Sequence, residues 1–200
     1  MSVRDILLFS DHEKELRQKS IEVQKISRQI RQVVRDLKET LQADGDGIGL
    51  AAPQINIHER VVIVCLDTGI DTSWQPGPPE ALINPVIIEE SNRQKDFDGC
   101  LSFPGIYGET VRPHFLRVTG LSENGQPFNR LFEGFNAVVV HHEIDHLDGV
   151  LFIDRIESAK DLYTIRENER GEMVKVPYDV IFHRHENFES IDALIGKNLV

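Results

Sequence analysis

The stretch His141-His142-Glu143-Ile144-Asp145-His146 constrains this chain more than any other. His142 and His146 are four residues apart, so a helix stacks their imidazoles on one face, where both can hold one metal ion. Glu143 follows the first of them and projects beside such an ion instead of onto it. From there a carboxylate can take a proton from water that the ion activates. The spacing therefore predicts a helix that carries the His-Glu-x-x-His signature of metal-assisted hydrolysis. A short pattern with three fixed letters also recurs by chance, on surface helices whose two histidines are merely solvated. The rest of the chain has to separate the two.

At 200 residues with 40% hydrophobic content, the chain suits one α+β domain over residues 1–200 that buries a core without disulfides. A formal net charge of -11 and the lack of a Lys/Arg cluster exclude a direct nucleic-acid groove as the main surface. Ile6-Leu7-Leu8-Phe9 is too short for a secretory core or a membrane span, so the expectation is a cytoplasmic protein with no membrane association. Two cysteines cannot build a disulfide framework, and Cys65, inside an apolar run, reads as packing.

Taken in order, residues 13 to 42 place Ile21, Ile26, Ile30, Val33, Val34, Leu37 and Leu41 at helical spacing opposite a charged face, which predicts one amphipathic helix ended by Asp44-Gly45-Asp46-Gly47. Gly47-Ile48-Gly49-Leu50-Ala51-Ala52-Pro53-Gln54 is a run of small residues, where backbone comes close to something. A dinucleotide fingerprint fails there, because no strand precedes the glycines and no helix follows. Arg60 to Leu66 is a buried strand, residues 67 to 79 a loop, and Ala81 to Ile88 a strand that Asn84-Pro85 marks as an edge or bulge. A polar hinge follows at 89 to 96. Val111 to Gly120 and Gln126 to Phe132 form a hairpin about Ser122-Glu123-Asn124-Gly125.

The motif helix begins near Glu133 or Gly134, although Val138-Val139-Val140 is unfavourable by propensity. Phe135, Val138 and Val139 lie seven, four and three residues before His142 and predict an apolar wall beside the metal, a candidate side-chain pocket. Beyond Asp154 the pattern fades. Residues 157 to 176 are charged, Tyr178 to Phe182 has strand character, Ile191 to Ile195 has helical character, and His183 with His185 reads as a solvated pair.

Two histidines leave a hydrolytic metal one protein ligand short. Asp98-Gly99-Cys100-Leu101-Ser102 offers a thiol beside a glycine, against the common alternative of a cysteine acting as a small buried hydrophobe. Glu167 or Glu169 would instead suit a zinc peptidase. The metzincin continuation of the motif would need a histidine where Phe152 stands.

Three stretches together resemble peptide deformylases: Gly47 to Gln54, Gly99-Cys100-Leu101-Ser102, and His142 to His146 with its continuation Leu147 to Arg155. The likeness runs from about Ile6 to Arg155. It implies a single domain of small mixed or antiparallel sheets around a central metal-binding helix, with residues 13 to 42 as an outer helix. It also implies that Cys100 joins His142 and His146 on the metal, that Glu143 is general base and acid, and that Gln54 and the Leu101 backbone N–H hold the oxyanion. Gly49 would make backbone contacts to the substrate, and Phe135, Val138 and Val139 would take a methionine side chain.

The implied reaction removes the formyl group from the N-formyl-methionyl end of newly made polypeptides, which sets the work near the ribosome. The implied metal is Fe(II), with Ni(II), Co(II) or Zn(II) as substitutes. Two positions depart from the family pattern. Asp98 replaces the usual Glu that pairs with an arginine, here Arg112, and His141 replaces a Gln, pointing about 100° away from the metal side. A non-catalytic, deformylase-like metal-binding protein is the rival from another class, against which intact Glu143 and Gln54 count.

Overall fold

The computed structural model describes residues 3–67, 74–168 and 170–178. Glu169, His183, His185, the segment 191–195 and most of 178–182 lie outside the described residues, as does the middle of the predicted 67–79 loop. Among the described residues three α-helices, α1 (Phe9–Leu16), α2 (Arg28–Asp44) and α3 (Phe135–Leu147), accompany seven strands. The strands are β1 (Gly49–Ala51), β2 (Val61–Val64), β3 (Glu80–Gly99), β4 (Tyr107–Leu121), β5 (Pro127–Glu133), β6 (Leu162–Glu167) and β7 (Met173–Pro177). They form one antiparallel sheet in the order β1-β2-β3-β4-β6-β7, with β5 on β4. The α+β class holds, but several small sheets are replaced by this single continuous one.

The helix expected over 13 to 42 is two helices with a break. Ser27 caps α2 by accepting from the Ile30 N–H, and Gly45, at φ +89°, closes it. Between α1 and α2 the chain is tied by hydrogen bonds to distant segments. Ser20 N donates to the Leu147 carbonyl at 2.8 Å, Asn84 exchanges two 2.8 Å bonds with Val23, and Ile21 bridges to Glu59. Helical spacing of apolar residues carries no information about such distant backbone partners.

The predicted hinge at 89 to 96 is also strand, because β3 runs on in register with β4 from Glu89↔Arg117 to Asp96↔Thr110. It reads as polar since its side chains there are mostly exposed. Asn84-Pro85 is the expected bulge, with the register shifting between Ile83 and Val86 and Asn84 at φ +50°. The hairpin about Asn124-Gly125 and the buried strand β2 are as expected. The charged region after 157 contains the β6–β7 hairpin, added to the sheet through Tyr107↔Tyr163.

α3 is the axis of the molecule. Every residue from Ala137 to Leu147 is buried. Its apolar face packs Val139, Val140, Ile144 and Leu147 against Val62, Leu116, Val118 and Phe132 of the sheet. This burial overrides the weak helix propensity of its valines. α2 covers the other face of β1 and β2 through Val33, Leu37, Leu41, Leu50 and Ile63. The segment after α1 clamps the C-terminal end of α3: Arg17 pairs with Asp154 at 2.8 Å across 137 residues of sequence. Gly149 lies so near the Arg17 carbonyl that a Cβ would stand 2.2 Å from it. Among the described residues no helix is long and apolar enough to cross a membrane.

Candidate active site

Two further elements converge on α3. The helix carries His142 and His146 one turn apart, the turn after β3 carries Cys100, and the 3-10 turn Ala52–Ile55 carries Gln54. Cys100 Sγ stands 3.3 Å from His146 Nε2, and one ligand atom from each of Cys100, His142 and His146 lies within 4.8 Å of the others. Ligands at roughly 2.3 and 2.0 Å from one tetrahedral centre are about 3.5 Å apart, so the set fits a first-row divalent ion and leaves a fourth position open.

His142 Nδ1 is 2.7 Å from Asp98 Oδ1, which fixes the ring and leaves Nε2 for a metal. Burial acts to lower the His142 pKa, but the Asp98 carboxylate overrides it and raises it well above the ordinary imidazole value. Burial and the His142 charge push the His146 pKa well down.

Behind His142 lies a buried polar network. Asp98 Oδ2 accepts from Arg112 Nε and from Thr110 Oγ1, both at 2.8 Å, so the shorter acid still reaches its arginine. Arg112 Nη1 continues to Asp145 Oδ2 at 2.7 Å and to His141 Nδ1 at 2.6 Å, and Arg155 closes on the other Asp145 oxygen at 2.7 Å. His141 therefore serves the arginine and not the metal, as its angle on the helix predicts. Asp145 and Arg155 were missed by the sequence reasoning. The only signal was an acid inside the motif with an arginine ten residues on.

Glu143 is buried, and its Oε2 has no hydrogen-bond partner. Burial pushes its carboxyl up to about 7, against the pull of His142. A Cβ at Gly49 would sit 2.2 Å from Glu143 Oε1, so only glycine lets the carboxylate stand there. Gln54 is held by its Oε1, which accepts from Ala51 N at 2.8 Å. Its Nε2 thereby aims at Ser102 Oγ (3.2 Å) and Cys100 Sγ (3.5 Å).

A cleft of about 420 Å³ opens over these groups, and Gly49, Leu101, Phe135, Val138 and Val139 all line it. Trp74, which the sequence left in a loop, lines it too. Phe152, at the metzincin position, is core and stacks on the His142 ring, and Glu167 is exposed on β6.

A Cys-His-His donor set beside a buried, unpaired carboxylate and beneath a largely apolar cleft defines a metal-dependent hydrolase. The model of the polypeptide deformylase family matches residues 3–161. A peptide deformylase of Thermomicrobium roseum is 41% identical over 169 residues, covering 84% of this chain and 94% of that protein. One of Neisseria gonorrhoeae is 36% identical over 160 residues, covering 80% and 90%. The crystal structure of a peptide deformylase from Ehrlichia chaffeensis in complex with actinonin superposes with a TM-score of 0.70 at 36% identity, covering 78% of this chain and 90% of that one. The chain belongs to the polypeptide deformylase family.

Proposed function

We infer that this chain, as one domain over residues 1–200, hydrolyses the N-formyl group from the formyl-methionyl end of newly synthesised polypeptides in the cytoplasm, releasing formate. The observation that carries it is the unpaired Glu143 carboxylate, buried beside Cys100, His142 and His146. Those three residues hold the metal. Bound there, Fe(II), or Ni(II), Co(II) or Zn(II) in its place, supplies Lewis acidity that lowers the pKa of water and polarises the formyl oxygen.

Glu143 takes the proton of the attacking water, a role suited to a carboxyl poised near neutrality. As charge grows on the formyl oxygen, the Gln54 amide and the Leu101 N–H donate to it, each contributing about 2.7–4 kcal/mol if they act like other oxyanion donors. When the C–N bond breaks, Glu143 returns the proton to the departing amine nitrogen, so formate and a free N-terminus result. Gly49 supports the substrate through its backbone. The wall of Phe135, Val138 and Val139 takes the methionine side chain and keeps water from the reacting centre. The test is formate release from a short formyl-Met peptide by anaerobically purified, Fe(II)-loaded protein, with metal content measured on the same sample. Stoichiometric metal with no turnover would leave the non-catalytic homologue.

Cys100→Ser is expected to weaken metal binding, because a hard oxygen replaces a soft thiolate. Competition with a chromophoric chelator measures it, and unchanged affinity would remove Cys100 as a ligand. Val138→Asp is expected to raise KM for formyl-Met peptides by tenfold or more, since a carboxylate desolvated against an apolar side chain costs well over about 1.4 kcal/mol. An unaltered KM would place the side-chain pocket elsewhere.

A further inference from the structure

We propose that Trp74 forms the far wall of the substrate side-chain pocket and determines its preference for methionine by packing its indole against the terminal methylthio group. The inference rests on the deformylase reading for the identity of that side chain. Phe135 lies seven residues before His142, about 10 Å up the axis of α3. The line His142, Val139, Val138, Phe135 thus runs from the metal ligands outward along one lined cleft. Trp74 enters from the β2–β3 connection and meets Phe135 edge to face, with ring centroids 5.3 Å apart and an interplanar angle of 87°. An unbranched side chain running outward from the metal ends at this aromatic pair.

The indole is held in place. Its Nε1–H donates to Asn136 Oδ1 at 3.4 Å, and the same oxygen accepts from Asp67 N at 2.9 Å while Asn136 Nδ2 donates to the Asp67 carbonyl at 3.3 Å. Asp67 Oδ1 in turn accepts from Gln75 N at 3.2 Å, and Gly77 N donates to the Leu66 carbonyl at 2.8 Å. One side chain at the start of α3, Asn136, therefore holds Asp67 and also satisfies the polar edge of the indole. The indole, an apolar and polarisable ring, lines the cleft. A thioether gains from an aromatic edge what a hydrocarbon of equal length does not. A short side chain does not reach the wall.

Metal-loaded wild type, Trp74→Phe and Trp74→Leu are compared on tripeptides that begin with formyl-Met, formyl-norleucine or formyl-Ala. Trp74→Leu is expected to lower kcat/KM for formyl-Met about tenfold more than for formyl-Ala, chiefly through KM, and to bring the Met-to-norleucine ratio close to one. Trp74→Phe should retain most of that ratio. Equal losses on all three peptides, or an unaltered ratio, would overturn the assignment.

A second readout needs no variant, because Trp74 is the only tryptophan of the chain. Titrating wild type with Met-Ala-Ser, the deformylated product, should change the tryptophan emission saturably, and Gly-Ala-Ser should not. Lack of a methionine-dependent change would remove Trp74 from the pocket. Failure of the wild type to cleave any formyl peptide would instead overturn the activity, and the emission titration would still decide the wall.

Discussion

Replacing Glu143 with glutamine is expected to cut formate release by about 10²–10⁴-fold while the metal stays bound. Glutamine keeps the shape beside Gly49 but can neither accept the water proton nor return it to the amine. Single-turnover rates with metal analysis on the same sample check this, and a variant retaining a tenth of the wild-type rate would remove Glu143 as the base.

In the metal-free protein the same substitution should raise stability. Burial lifts the Glu143 carboxyl to about 7, so its favourable contribution is fully present below the unfolded value near 4.5 and is lost as pH rises through 7. Between those values the native state binds more protons than the unfolded one. The glutamine variant is spared this loss, about 3 kcal/mol at pH 8 for a carboxyl lifted from 4.5 to about 7. Thermal melts at pH 5 and pH 8 should show the gap opening only at the higher pH. A bound cation offsets it by favouring the carboxylate.

Arg112→Met is expected to be the most destabilising change among these. It strands two buried carboxylates, Asp98 and Asp145, around a guanidinium whose side chain has 0% exposure. Breaking such a set by removing one partner costs about 3–5 kcal/mol. Denaturant unfolding measures it, with Arg93→Ala as reference. That arginine pairs with Glu157 at 75% and 59% exposure, where ion pairs contribute little. Because Asp98 orients His142, metal affinity should also fall about 10–100-fold. A loss no larger than that of Arg93→Ala would mean that the network contributes nothing.

The pH dependence of this network has the opposite sign to that of Glu143. Burial would raise both Asp98 and Asp145, but the His142 and Arg112 charges hold the first well below the carboxylate range, and His141, Arg155 and Arg112 hold the second. Their contribution is full above the unfolded value near 4 and is lost only as pH falls through the depressed native values. The wild type should therefore tolerate acid that unfolds Arg112→Met.

What could be read from the sequence followed from local spacing. The i, i+4 histidines, the Asn124-Gly125 turn and the all-apolar run of β2 each carry their geometry within a few residues. The break between α1 and α2 does not, because Ser20 and Val23 find their partners at Leu147 and Asn84. Residues 89 to 96 looked like a hinge since a strand exposed to water shows no apolar alternation. Asp145 was hidden as a filler of the motif. Trp74 was hidden by its Pro- and Gly-rich surroundings, and only packing against Phe135 brings it to the cleft.

The clamp on the end of α3 also governs when the protein can work. Joining Arg17 to Asp154 closes a loop of 137 residues, and no shorter piece of chain can make that contact. A ribosome has to deliver everything through Asp154 before that pair can close, so contacts of this separation form late and slowly. An enzyme that trims the beginnings of other nascent chains thus has no finished centre through most of its own translation.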